Sequence, residues 1–237
     1  GRRKQSVAES SFEAWTKYYR QDENSPNAIV SYYTKGSLVA LLLDLRLRVE
    51  SGGARSLDDL MRALWQHHGQ TGVGVAEDGL FALAAEIGDV ETGRWLQALV
   101  EGTDELPLEA WLKRVDVSLI WEAATTAPGL GVRTAADGDA VRLANVFDGG
   151  AAQAAGLSAG DVLVALDGLK VSAGNLDKLL ARRLAGEEVE IHAFRRDELM
   201  HFAVSLQEAP RDTAKLSLVE DGGSPAHVAL REAWLGG

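Results

Sequence analysis

No cysteine occurs among the 237 residues. A disulfide scaffold, a thiolate zinc site, an iron–sulfur cluster and a cysteine nucleophile are thereby excluded. Clustered positive charge is lacking as well. Lys and Arg number 24 against 35 Asp and Glu, a formal charge of −11. With no basic stripe to face phosphates, nucleic acid is not an expected partner, and neither is an anionic membrane surface. Long apolar runs are missing. The longest, Leu38–Leu43, falls far short of the roughly 20 residues that span a bilayer. Gly1-Arg2-Arg3-Lys4-Gln5 leads into polar sequence, so no signal peptide is visible. The chain also does not start with Met, and the expectation is a piece of a longer protein. No Gly-x-Ser-x-Gly elbow or Walker loop is present. Gly72-Val73-Gly74 lacks the strand and spacing of a dinucleotide site and reads as a loop.

What is there divides near residue 126. Trp15, Trp65, Trp95, Trp111 and Trp121 precede it, and the sixth tryptophan, Trp234, lies in the tail. The first part reads as helices. Ser10 and Glu13 have capping-box spacing ahead of a helix carrying Trp15, Tyr18 and Tyr19. Ser31 to about Glu50 predicts a long Leu-rich helix, apolar nearly all round and so buried on most sides, stopped by Gly52-Gly53. Ser56 predicts the cap of Leu57–His67, with Asp58 and Asp59 in its first turn. A loop at Gly69–Gly74 precedes helices at Glu77–Ile87 and Val90–Val100, and Pro107 is expected at the first position of Leu108–Val115.

The second part changes period. Val141–Phe147, Val162–Leu166, Val189–Phe194 and His201–Leu206 read as strands punctuated by glycines, and Asn175–Leu184 keeps helical spacing. The tail predicts a strand at Ala214–Val219 and a short helix capped by Ser224 with Pro225 at its first position. The predicted domains are 1–124, 125–208 and a tail of 209–237.

Gly129-Leu130-Gly131-Val132, Phe147-Asp148-Gly149-Gly150-Ala151-Ala152 and Gly160-Asp161-Val162-Leu163-Val164-Ala165-Leu166-Asp167-Gly168 together resemble a PDZ domain. The departures are Val132 for Phe, Asp148 for Pro and Asp167 for Asn. The resemblance implies peptide binding at Gly129, Leu130, Gly131 and Val132. Backbone N–H groups after Gly129 form a nest for a peptide carboxylate, and the strand edge accepts the peptide. Asn175 and Leu179, one turn apart, are expected to flank the peptide's side chain. A groove that is vestigial or filled by the protein itself stays open as an alternative, with glycines there for turn geometry alone.

In the first part, Ser25-Pro26-Asn27-Ala28-Ile29-Val30-Ser31-Tyr32-Tyr33-Thr34-Lys35-Gly36 is similar to the glycyl aminopeptidase family of zinc metallopeptidases. The likeness continues through Trp15-Thr16-Lys17-Tyr18-Tyr19, Thr103-Asp104-Glu105-Leu106-Pro107 and Leu230-Arg231-Glu232-Ala233-Trp234-Leu235. It implies a multidomain α + β protein: the helical C-terminal half of a thermolysin-like catalytic domain followed by a mainly antiparallel PDZ domain. It further implies that a parent enzyme hydrolyses N-terminal residues of peptides with zinc. The family's His-Glu-x-x-His motif does not occur here; the histidines are His67, His68, His192, His201 and His227. Adjacent His67 and His68 point about 100° apart on a helix and do not chelate one ion. The chain alone is therefore expected to bind no zinc and to be inactive, its partners being a peptide substrate and an upstream zinc-binding half. The resemblance makes Tyr33 the donor of a hydrogen bond to the tetrahedral oxyanion, with Tyr32 the neighbour most easily confused with it. Lys35 and Gly36 are expected to be structural, Gly36 by permitting close packing. The rival function is a PDZ adaptor that recognises peptide C-termini. The compartment is expected to be the cytoplasm, with the periplasm as the alternative.

Overall fold

The computed structural model describes residues 1–219 and 224–236. In chain order its helices are α1 (Val7–Phe12), α2 (Ser25–Ala28), α3 (Tyr32–Glu50), α4 (Leu57–Leu64), α5 (Gly79–Ile87), α6 (Val90–Glu101), α7 (Leu108–Lys113), α8 (Ala151–Ala154), α9 (Leu176–Leu180) and α10 (Pro225–Leu235). Two π-helical turns, Ala14–Tyr18 and Trp65–Gly69, follow α1 and α4. The strands are β1 (Val117–Ala123), β2 (Val132–Asp137), β3 (Ala140–Val146), β4 (Val162–Leu166), β5 (Leu169–Lys170), β6 (Glu188–Arg195), β7 (Glu198–Ser205) and β8 (Arg211–Leu218). This is the expected mixture of a helical part and an antiparallel sheet. The chain divides into two compact units. One comprises 1–20, 29–120 and, among the described residues, the tail from 214; the other comprises 21–28 and 121–213. Residues 220–223 and 237 of the predicted tail lie outside the described residues.

The first unit is organised by α3. Ser31 caps it, its hydroxyl accepting from the Thr34 N–H at 3.1 Å. Gly53 closes it by donating to the Arg48 carbonyl. The stretch is long and apolar enough to cross a membrane by length and composition alone. Its leucines instead fill two cores. Val39, Leu43 and Leu47 pack with Leu60, Leu83, Ile87 and Leu96. Leu42 and Leu45 pack with Trp111, Leu112, Val115, Val117 and Leu119. A helix apolar on most sides is thus explained by having neighbours on both. Its polar interruptions are satisfied: Asp44, nearly buried, accepts from Arg48 Nε at 2.9 Å and from the Leu57 N–H at 2.8 Å, at the start of α4. The tail joins this unit through Asp116, whose carbonyl accepts from the Val219 N–H and from Arg231, and whose carboxylate faces His227.

Several boundaries differ from the sequence reading. Ser6, not Ser10, caps the first helix, its hydroxyl accepting from the Glu9 N–H at 3.0 Å. Ser6 and Glu9 have the same Ser-x-x-Glu spacing one turn earlier, and Ser10 instead donates from inside α1 to the Val30 carbonyl. Pro107 stands at the N-cap of α7, one residue before the predicted position. The Ser56 cap is present, with Asp59 accepting from the Ser56 N–H at 2.8 Å. The tail strand and the helix with Ser224 at its N-cap are both present.

Gly36 is a correction. A Cβ built there would lie 3.9 Å from Val7 Cγ1, an ordinary contact, so no close approach requires glycine. Gly93 on α6 is the contrast, because its Cβ would meet the Phe81 carbonyl oxygen at 2.6 Å. Gly36→Ala is accordingly expected to stabilise this chain by about 0.5–1 kcal/mol, the helical gain of Ala over Gly. Denaturant unfolding checks this, and a loss of stability would mean that the site is tighter than its geometry shows.

The second unit is an antiparallel sheet in the order β2-β3-β4-β6-β7, with β5 paired to β4. Its core holds Leu130, Leu143, Leu163, Leu166, Val189, Ile191 and Val204, covered by Leu176, Leu179 and Leu180 of α9. Asp161 is 1% exposed, and Arg195 grips it through two 2.8 Å hydrogen bonds. Residues 21–28 belong to this unit by hydrogen bonds of their own. The Asn27 amide donates to the Val146 carbonyl at 2.8 Å and accepts from the Asp148 N–H at 3.0 Å, and the Asn145 side chain donates to the Glu23 carbonyl.

Candidate functional site

The first candidate site is a cluster of all four tyrosines in the chain: Tyr18, Tyr19, Tyr32 and Tyr33. Two elements build it. The π-helical turn supplies Tyr18 and then Tyr19, whose N–H reaches back to the Ala14 carbonyl at 2.9 Å. The first turn of α3 supplies Tyr32 and Tyr33. Such wide turns are rare and concentrate at functional sites. Here the turn delivers two adjacent phenols to one helix end. The Tyr18 hydroxyl pairs with Ser31 Oγ at 3.1 Å, tying the turn to the α3 cap. The Tyr18 ring stands edge-on to Tyr19 and Tyr32, with centroids 5.3 and 5.1 Å away. The Tyr32 and Tyr33 rings are 4.2 Å apart.

The Tyr19 hydroxyl lies between the other two, 3.0 Å from that of Tyr32 and 2.8 Å from that of Tyr33. Hydrogen bonding with Tyr19 holds the Tyr33 phenol below the ordinary tyrosine range. Hydrogen bonding to Tyr19 pushes Tyr32 well above it. Tyr33 is 58% exposed, whereas Tyr32 is half-buried. Phe12 and Trp15, also strongly exposed, extend an aromatic surface from this cluster. Lys35, two residues beyond Tyr33, is buried, and its ammonium donates to the Arg2 carbonyl at 3.2 Å. Burial lowers its pKa, against the pull of Glu105 and Asp104.

The second candidate site is the loop before β2. Gly129 is bridged to Gln207, whose side chain also donates to the Gly149 carbonyl. Leu130 is buried, and its carbonyl accepts from the Ala152 N–H. Gly131 has φ of +71°, and a Cβ there would meet Gly150 Cα at 2.7 Å, so glycine is demanded twice over. Among the described residues, the N–H groups of Leu130 and Gly131 donate to no backbone carbonyl. Val132 opens β2, which pairs with β3 on one side and stands at the edge of the sheet. An edge strand preceded by two unengaged N–H groups has the chemistry of a carboxylate-terminated peptide site. Asn175 and Leu179 have local roles. The Asn175 side chain accepts from the Ser172 N–H and donates to the Lys170 carbonyl, and Leu179 lies in the core.

The His67 and His68 ring centroids are 6.4 Å apart. His192 and His201 both face Glu190 across β6 and β7. Among the described residues no group of three or more His, Cys, Asp or Glu is placed to hold a metal ion.

Tyr18 and Tyr19 carry no role in the sequence reading, and Tyr19 is the one whose hydroxyl meets those of Tyr32 and Tyr33. Its trace in the sequence is composition: four tyrosines in two adjacent pairs, thirteen and fourteen residues apart as their hydroxyls meet.

Residues 1–39 match the M61 glycyl aminopeptidase family, and residues 128–206 match the PDZ domain. An aminopeptidase N family protein from Idiomarina loihiensis is 34% identical over 99% of this chain, with a TM-score of 0.89. The chain spans 41% of the length of that relative. An HtrA-type protease with a bound decapeptide matches over 35% of this chain and 30% of its own, at 23% identity and a TM-score of 0.34. A serine endoprotease from Yersinia pestis matches over the same shares at 16% identity and a TM-score of 0.32. No curated protein matches the sequence. The chain is a portion of an M61 glycyl aminopeptidase family protein that carries a PDZ domain.

Proposed function

We propose that this chain supplies Tyr33 to the catalytic centre of a zinc aminopeptidase whose metal-binding half lies upstream in the same protein. The observation that carries the reading is the exposed Tyr33, on the first turn of a 19-residue helix and inside the family-matched residues. A phenol is neutral at pH 7 and donates one proton. Aimed at a peptide carbonyl under attack, it stabilises the oxyanion as charge develops there, and the positive end of α3 adds to that preference. The surrounding Phe12 and Trp15 suit apposition to an apolar surface of that upstream half. The chain contains no His-Glu-x-x-His, so by itself it is inactive under this reading. The kinetic test is Tyr33→Phe in the full-length protein.

A second reading, that the PDZ groove is itself the function, is favoured by the edge position of β2 and by the Leu130 and Gly131 N–H groups before it, which meet no backbone carbonyl among the described residues. Peptides ending in a free carboxylate are expected to bind the 237-residue chain and to lose binding when amidated. Isothermal titration of matched peptides checks this. Equal binding of both forms would remove the carboxylate nest, and no binding of either would remove the peptide partner.

A further inference from the structure

We propose that Tyr19 is a positioning residue that orders the phenol cluster, passing hydrogen bonds in one direction from Tyr32 through Tyr19 to Tyr33 and leaving the Tyr33 proton free to point at substrate. The inference rests on the reading of Tyr33 as the oxyanion donor.

Each phenol has one proton and room to accept. The Tyr19 hydroxyl contacts both neighbours, at 3.0 and 2.8 Å, and has one proton to give. If the Tyr33 proton is directed to a substrate oxygen, Tyr33 has none for Tyr19, so their 2.8 Å contact is made by Tyr19 donating. Tyr19 then accepts from Tyr32. Hydrogen bonds arranged head to tail polarise one another, and the terminal O–H becomes the better donor. The pKa directions agree: Tyr33 is lowered as the terminal member, and Tyr32 is raised as the initial donor.

Ring contacts support this order. The Tyr19 ring is wedged between Trp15 at 5.2 Å and Tyr18 at 5.3 Å. Tyr18 is fixed in turn by Ser31. The groups facing Tyr33 are phenols from the π-helical turn and from α3 itself. The charged neighbour on the turn, Lys17, is paired with Glu13 at 2.7 Å. Among the described residues no charged side chain hydrogen-bonds any of the three hydroxyls. Tyr19 need not touch substrate to matter, since it acts through Tyr33.

The test uses the fact that no tyrosine lies outside this cluster. A pH titration of phenolate absorbance in the 237-residue chain therefore reads these four groups alone. The wild-type chain is expected to show one phenol ionising below free tyrosine. Tyr33→Phe removes that step. Tyr19→Phe returns it to the ordinary tyrosine range, and Tyr32→Phe moves it the same way by less. Far-UV circular dichroism establishes that each variant is folded, and Tyr18→Phe, which removes the hydroxyl bonded to Ser31 and none of the three in the relay, controls for loss of a neighbouring hydroxyl. An unchanged first ionisation in folded Tyr19→Phe overturns the ordered relay. In the full-length peptidase, Tyr19→Phe is expected to lower kcat about fivefold to tenfold with KM little changed, the effect of one lost hydrogen bond. If the titration shifts but Tyr33→Phe retains full kcat, the catalytic reading of Tyr33 is overturned while the hydrogen-bond order stands.

Discussion

Tyr33→Phe in the full-length peptidase is expected to lower kcat by roughly 10²–10³ and to leave KM within about twofold. The substitution keeps the ring, so its 4.2 Å packing on Tyr32 is retained. What is lost is the hydroxyl that meets Tyr19 at 2.8 Å, on a residue that is 58% exposed. A donor that acts only as charge develops on the substrate oxygen affects the transition state and not ground-state binding, so the loss falls on kcat. Steady-state kinetics on an unblocked peptide measure it. A kcat within about twofold of wild type would remove Tyr33 from the catalytic role, and a rise in KM alone would make it a binding residue.

Asp161→Ala is expected to destabilise the second unit by about 3 kcal/mol, the cost of breaking a buried pair, discounted because Arg195 is about a third exposed. Asp161 is 1% exposed and accepts from both Arg195 nitrogens and from the Ser158 N–H. Removing the carboxylate leaves that N–H and part of the guanidinium without an acceptor. Arg195 also donates to the Gly156 carbonyl and lies 5.5 Å above the Phe202 ring, so the pair ties the turn before β4 to β6 and β7. Thermal unfolding is expected to show a melting temperature about 10–20 °C lower for this unit. Exposed pairs such as Arg94 with Glu91 supply the contrast, where truncation costs about 0.5 kcal/mol or less. A shift no larger than that for Asp161 would show that the pair is solvated.

The parts of the fold readable in the sequence are those whose signal is local. The long helix begins at Ser31 and ends at Gly52-Gly53 because the cap and the stop are written within a few residues of the bonds they make. The Ser56 capping box and the glycine-punctuated strands are of the same kind. Ser10 misled because two Ser-x-x-Glu pairs lie four residues apart, and only tertiary contact with Val30 decides between them. Neither π-helical turn has a sequence period of its own. The partner of β1 is β8, roughly ninety residues away, and Asn27 finds Val146 across 119 residues. Such pairings are made by packing and leave no local pattern. For the candidate sites, the residue types at Tyr33 and Gly131 were legible through family resemblance. The reasons were not: the demand for glycine at 131 comes from Gly150, and the setting of Tyr33 comes from Tyr19.

The most direct test of the account is release of N-terminal residues from an unblocked peptide by the purified 237-residue chain, with and without added zinc, beside a longer protein that joins it to a segment carrying His-Glu-x-x-His. The account predicts no turnover by the chain alone in either condition, and zinc-dependent turnover by the longer protein. Turnover by the chain alone, proportional to its concentration and abolished by a chelator, would contradict it.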